Sequence, residues 1–442
     1  MVTELFTPDQ FGAVGDATTN DTAALQALFD AAQGKSILFG DNARVYSASS
    51  ITVRQGTRII GSMCVRADNT VGGNNSVIIF EAGVVAEAVV LKIPDSSILQ
   101  RGVSIGDGNR VEFVSVLASQ QATTSDNILD GIVQLRGNDI WVGQIRSRNC
   151  DRPIVAYNCD RLTIGQVDIQ SYVRGGLFRN VRHLTIDSYL CKGLSPNSAH
   201  VPGHNAILMA SVQNAVVKGV IVEDAGEHGI RIGGPDEFQS EAITFVAPII
   251  RRSGQCGFKA NPRPGNVTGL TLVAPMIVDS ASRSTPGTNE DGIRLEGVRN
   301  AHIANPTIAK QANSVSGYDG IYLNDCLDVV IASPRISSVR RHGINIEPIN
   351  GSVNAVFVGN AAIHDCGRTG VKIQGHLGIL RDITLMRSYI RLCGEYGVHC
   401  TTSGSTSGAN QPVILDGWIK DAATIGKLIS GDPDIVDSLT VL

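Results

Sequence analysis

A short frame recurs through the second half of the chain. "EHGIRIGG", "NEDGIRLEGV", "YDGIYLND", "RHGINIEP", "RTGVKIQG" and "EYGVHCTT" each set a glycine before an alternating run of apolar residues. The glycine falls at Gly229, Gly257, Gly292, Gly320, Gly343, Gly370 and Gly397, at intervals of 28, 35, 28, 23, 27 and 27 residues. Weaker copies stand at Gly131, at Gly176 and, with alanine in the glycine's place, at Ala206. A repeat of this length marks a solenoid, a propeller or an array.

The alternation decides among them. In "GIRL", "GIYL", "GINI" and "GVKI" the pairs Ile293/Leu295, Ile321/Leu323, Ile344/Ile346 and Val371/Ile373 are apolar, and Arg294, Tyr322, Asn345 and Lys372 stand between them. That is a strand with one face in a core. A second apolar run, as in "AITFVAPII" and "VVIASPRIS", separates successive glycines. A unit of ~27 residues cannot bury such faces alone, but stacking units at ~4.8 Å pairs every strand with its copies and makes the core continuous. The expected fold is all-β, a parallel β-helix. A leucine-rich horseshoe lacks its L-x-x-L-x-L consensus here, and a propeller needs longer antiparallel blades.

The open end of a solenoid must be covered. "TTNDTAALQALFDAAQG" predicts a capping α-helix started by Asn20 or Thr19, with Ala24, Leu25, Leu28, Phe29 and Ala32 as its apolar stripe and Gly34 as its stop. The expected organisation is an N-terminal segment with this helix over 1–40, the β-helix over 41–425 and a C-terminal segment over 426–442.

Composition narrows the partners. A net charge of −4 with balanced signs gives no footprint for nucleic acid. Nine cysteines without a C-x-x-C pair indicate neither a disulfide framework nor zinc, and read as small apolar filling. The start, "MVTELFTPDQFG", has no basic region followed by an apolar one, and no stretch of ~18 apolar residues occurs, so neither an export signal nor membrane insertion is expected. No elbow, zincin or P-loop motif is present, and no cofactor or metal is expected.

"FGAVGDATTNDTAALQALFDAA" followed by "ILFGDNARVYSASSITVRQGTRIIG" resembles the N-terminal signature of the pectate-lyase-like β-helix proteins, and among them most of all bacteriophage tailspikes and tail-fibre depolymerases. The resemblance implies a right-handed parallel β-helix, a homotrimer on a virion tail, and binding and cleavage of a bacterial capsular, O-antigen or exopolysaccharide. A secreted bacterial enzyme is the alternative location.

Stacking the repeats turns residues into columns. Just before each glycine stand His228, Cys256, Asp291, Asp319, His342, Thr369 and Tyr396. One reading makes these turn residues that tolerate unusual φ values and bond the backbone. The other makes Asp291, Asp319 and His342 a catalytic column, because carboxylates ~4.8 Å apart split their pKa values. Their order is also similar to polygalacturonases, with Asn289/Asp291, Asp319, His342 and Lys372 at the motif positions, Tyr318 replacing one aspartate and Arg341 one glycine. A second column runs Gly233, Asn261, Glu296, Asn324, Glu347 and Gln374. In it Glu296 and Glu347 stand two rungs apart, near the upper limit of an inverting glycosidase pair. A third, Arg231, Lys259, Arg294, Tyr322, Asn345, Lys372 and His399, suits sugar rings and acidic substituents.

Asp291, Asp319 and His342 are thus the first catalytic candidates, and Glu296 and Glu347 the second. Arg231, Lys259, Arg294, Tyr322, Asn345 and Lys372 are the expected substrate-binding residues. Asp236, Glu237 and Glu241, in or beside the long loop "GGPDEFQSEA", are the fallback acids. Asp224, Arg252, Asp279 and Lys310 alternate in sign and read as structural. Hydrolysis of an internal glycosidic bond is expected. A uronate lyase or epimerase with Lys259, Arg294 or Lys372 as base, and a non-catalytic receptor-binding protein, are the alternatives.

Overall fold

The computed structural model describes residues 4–40, 43–68, 76–94, 101–119, 130–193, 203–233, 239–261, 267–281, 290–309, 319–349, 351–375, 379–401, 413–420, 422, 425–430 and 435–441. The chain forms two compact units, residues 1–194 and 195–442. Both are built from parallel strands stacked coil on coil, as the repeat requires.

In the first unit the helix Thr22–Ala31 lies against the strand Ile51–Val53, burying Leu25, Leu28 and Phe29 completely. The helix begins one residue later than the sequence suggests, yet Asn20 still serves its start, its Oδ1 accepting the Thr22 N–H at 3.0 Å. Asp21 turns away to accept the N–H groups of Val14 and Gly15 at 2.7 and 3.2 Å. Gln26 closes the exposed strand edge: its Nε2 donates to Thr52 O at 3.2 Å and its Oε1 accepts Thr52 N–H at 2.9 Å. The helix therefore supplies polar partners to the strand as well as an apolar lid. Behind it the core is a register ladder, Met63, Val89, Val114, Ile145, Val167 and Tyr189, every member fully buried.

The second unit has three strands per coil. The frame strands stack as Ile230, Phe258, Ile293, Ile321, Ile344, Val371 and Val398, with Ile232, Ala260, Leu295, Leu323, Ile346, Ile373 and Cys400 as the second row. The third strand contributes seven isoleucines in register, Ile250, Ile277, Ile308, Ile336, Ile363, Ile390 and Ile419. Parallel pairing continues to Val441 through the strand Ile435–Val441.

These isoleucines explain the repeating glycine. A Cβ on Gly343 would stand 2.5 Å from Ile363 Cγ2 and 2.6 Å from the Gly370 carbonyl oxygen, so close packing, not unusual backbone, excludes a side chain. Gly343→Ala is expected to cost about 1–3 kcal/mol by overpacking. Urea unfolding checks it, and an unchanged midpoint would contradict it. All nine cysteines are buried and none forms a disulfide, and Cys400 is a rung of the second row.

The sign-alternating column contains one ion pair among its described members. Asp224, Arg252 and Asp279 share left-handed φ values of 57, 54 and 55°, and Arg252 grips Asp224 through two bonds of 2.6 and 3.1 Å. Lys310 lies outside the described residues, as do Asn289, Tyr318, Asp236 and Glu237. Glu241 is exposed at the start of the strand Ser240–Val246, away from the frame strands.

Candidate active site

The frame strands Ile230–Ile232, Phe258–Ala260, Ile293–Glu296, Ile321–Asn324, Ile344–Ile346, Val371–Gln374 and Tyr396–Thr401 each turn one central side chain away from the apolar ladders. Their register places Arg231, Lys259, Arg294, Tyr322, Asn345, Lys372 and His399 in one column, each on the rung next to the last. Glu296 pairs with Asn324, and Glu347 follows Ile346, the partner of Leu323. Glu296 and Glu347 therefore flank Asn324 at two rungs' separation.

Much of the column is buried. Lys259, Arg294, Tyr322 and Asn345 are 8, 6, 4 and 0% exposed, whereas Arg231, Lys372, Glu296 and Glu347 are half-buried. Arg294 is folded back. Its Nη1 donates to Asp291 Oδ2 at 2.8 Å, its Nε and Nη2 reach Glu296 Oε1 at 2.8 and 2.5 Å, and its guanidinium lies 4.1 Å from the Tyr322 ring centroid. A guanidinium so engaged orders the acids around it more than it meets a ligand.

The corner residues form a hydrogen-bonded ladder. Cys256 N–H donates to His228 Nδ1, Asp291 N–H to Cys256 Sγ, Asp319 N–H to Asp291 Oδ1 and His342 N–H to Asp319 Oδ1, at 3.1, 3.4, 2.9 and 3.1 Å. Each side chain thus accepts the backbone N–H one coil on. Positive φ plays no part, since none of these residues has it. Asp319 is the most heavily bonded: Arg341 holds both its oxygens at 3.0 and 2.9 Å, and Asn345 Nδ2 donates at 2.8 Å. Asp319 is an anchor with its oxygens committed.

The ladder stops at His342. Its Nδ1, with Thr369 Oγ1 and Asn345 Oδ1, is buried without a hydrogen-bond partner among the described residues. Burial, and then the nearby cations Arg341 and Lys372, push the His342 imidazole down to about 2, so it is neutral. Burial raises Asp291 to about 6 against the pull of Arg294 and with the push of the Asp319 charge. Burial also lowers Lys372, against the opposing charge of Glu347. Among the described residues neither Lys259 nor Lys372 has a carboxylate at ion-pair distance, and no three His, Cys, Asp or Glu gather to hold a metal.

These shifts act on stability in opposite directions. The depressed His342 pKa contributes stability that is present above the ordinary value of 6.5 and lost as pH falls. The raised Asp291 pKa contributes stability that is present below 3.8 and lost as pH rises through about 6. Removing one exposes the other. Relative to His342→Gln, the native chain should lose about 1.4 kcal/mol per pH unit as pH falls between about 6 and 4. A pH-independent difference in urea unfolding would contradict a buried neutral imidazole.

Two participants escaped the sequence reading. Arg341, noted there only for replacing a glycine, clamps Asp319 from 22 residues away. Glu227, buried one position before His228, accepts Gly203 N–H at 2.8 Å and stands 3.7 Å from Arg231. The frame held both signals, because Glu227, Gln255, Glu290 and Arg341 occupy its next column.

No protein-family model matches the chain, and no curated protein does. Solved structures with this architecture include the catalytic unit of a GH87 α-1,3-glucanase from Streptomyces thermodiastaticus strain HF3-3, at 11% identity and TM-score 0.46, covering 100% of this chain and 69% of that one. The surface adhesin PfbA of Streptococcus pneumoniae matches at 10% and 0.46 over 84% of this chain and 92% of the other. The Dettilon tailspike protein matches at 10% and 0.44 over 74% and 66%. The chain has the fold of the parallel β-helix proteins. A likeness this remote carries no activity with it.

Proposed function

We propose that this protein binds a bacterial surface polysaccharide along the frame-strand column and hydrolyses its internal glycosidic bonds, with Glu296 and Glu347 as the reacting pair. The observation that carries this reading is the register: two half-buried carboxylates two rungs, hence ~9–10 Å, apart along one column, with Asn324 between them. Asp291 and Asp319, the first choice from sequence, are committed to the corner ladder and shape the site from beneath.

The roles follow from the bonds. Glu296, gripped by Arg294, is placed to activate water. Among the described residues the Glu347 carboxylate has one hydrogen bond, from Asn345 Nδ2 at 3.5 Å, and can turn toward a leaving-group oxygen. Lys259 and Lys372, with no carboxylate at ion-pair distance among the described residues, suit acidic substituents of the glycan. A screen of purified capsular, O-antigen and exopolysaccharides for new reducing ends tests the reading. Saturable binding without shortening of any chain would sink it and leave a receptor-binding protein.

A second reading rests on Lys372, whose lowered pKa suits a base that takes the C5 proton of a uronate. Unsaturated, ultraviolet-absorbing products in the same screen would favour that lyase.

Self-association fits an exposed apolar patch on the second unit. Trp418, 47% exposed, is the rung partner of Tyr389, and the neighbouring sheet presents Phe357, Ile414 and Val436. In a homotrimer on a phage tail, working outside the cell, this face would be covered. Light scattering should find a trimer, and Trp418→Glu should shift it toward monomer. A monomeric native chain would favour a standalone secreted enzyme. No helix among the described residues is long and apolar enough to cross a membrane.

A further inference from the structure

The first unit carries a cavity of about 160 Å³ lined by Arg101, Gln134, Leu135, Arg136, Val155 and Tyr157. Its floor is the outer face of two paired strands. Gln134 and Val155 are rung partners, and the next pair, Leu135 and Ala156, is fully buried. Beyond that pair the register slips, so that Tyr157 and Asn158 stand opposite the single residue Arg136. Such a bulge turns side chains out of the regular pleat. Here it brings an exposed guanidinium beside a tyrosine that is 37% exposed. Arg179, the rung partner of Tyr157, lies 5.9 Å from its ring centroid.

The lining is chemically one-sided. Among the described residues it holds two guanidiniums, a carboxamide, an aromatic ring and two aliphatic residues, and no carboxylate. Among the described residues the Arg136 side chain has no hydrogen bond or ion pair. Guanidinium forks match carboxylate, sulfate and phosphate geometry, and an exposed ring beside a valine offers the flat apolar surface that pyranose C–H groups cover.

We propose that this cavity is a binding site for a sugar ring carrying an anionic group, with Tyr157 and Val155 under the ring, Gln134 on its hydroxyls and Arg136 on the anion. The proposal does not depend on whether the frame-strand column cleaves anything.

Calorimetry and saturation-transfer NMR on the full chain test it, with glucuronate, glucose 6-sulfate, glucose and inorganic sulfate as probes. Both acidic sugars should bind, and glucose and sulfate alone should bind at least about tenfold more weakly. Arg136→Ala and Tyr157→Ala should each weaken the acidic sugars by about tenfold with melting unchanged, because both side chains project from the outer face. Arg161→Ala, an exposed arginine held by Asp139, should change nothing. Glucose binding as tightly as glucuronate, or sulfate as tightly as the sulfated sugar, would overturn the proposal. So would acidic-sugar binding that survives both cavity variants or is abolished by Lys372→Ala instead.

Discussion

Replacing Glu347 by glutamine is expected to lower turnover on a cleaved polysaccharide by about 10²–10⁴-fold while affinity stays within a few-fold. The substitution keeps shape and hydrogen-bonding capacity but removes the proton that the leaving oxygen needs. It breaks little else, since among the described residues the Glu347 carboxylate has one long hydrogen bond, with Asn345. Glu296→Gln should be comparably inactive, and it should also loosen Arg294, which spends two donors on that carboxylate. Steady-state kinetics with a direct binding measurement separates the effects. Loss of affinity with turnover intact would make these residues binders rather than reacting groups.

Asp319→Ala should instead act on the fold, costing about 3–5 kcal/mol. It removes the acceptor of Arg341, of Asn345 and of the His342 N–H at once and leaves the Arg341 guanidinium without its partner. The coupled breakdown is larger than any one bond would give, because Asp319, Asn345 and the His342 N–H are buried away from water and lose their partner together. A drop in urea midpoint with an unchanged slope is the expected record. If Asp319→Ala were as stable as the native chain yet inactive, Asp319 would be a reacting group after all, and the first reading from sequence would stand.

The ladder of Ile293, Ile321, Ile344 and Val371 follows from two periods visible in the letters, two residues within a strand and ~27 between coils, and the register repeats it residue by residue. The glycine's position was equally visible, but its cause was not, because the isoleucine that excludes a Cβ comes from a different strand of the coil. The corner residues were legible as a column and ambiguous as chemistry. Asp291 and Asp319 read the same whether their oxygens are free or receive the N–H of the coil above, and only the bonds at 2.9 and 3.1 Å distinguish these. Burial of the strip was hidden for a similar reason. Alternation tells which residues leave the core, whereas Arg294 folding back onto Glu296 and Tyr322 depends on neighbours two and 28 positions away.

The central claim is that Glu296 and Glu347, separated by two rungs, act across a sugar ring with room for water between them. Proton NMR of the first product's anomeric configuration, recorded before mutarotation, tests it most directly. Inversion at the cleaved centre is the predicted result. Retention would require a carboxylate close enough to attack the ring itself, and would contradict the assignment of this pair.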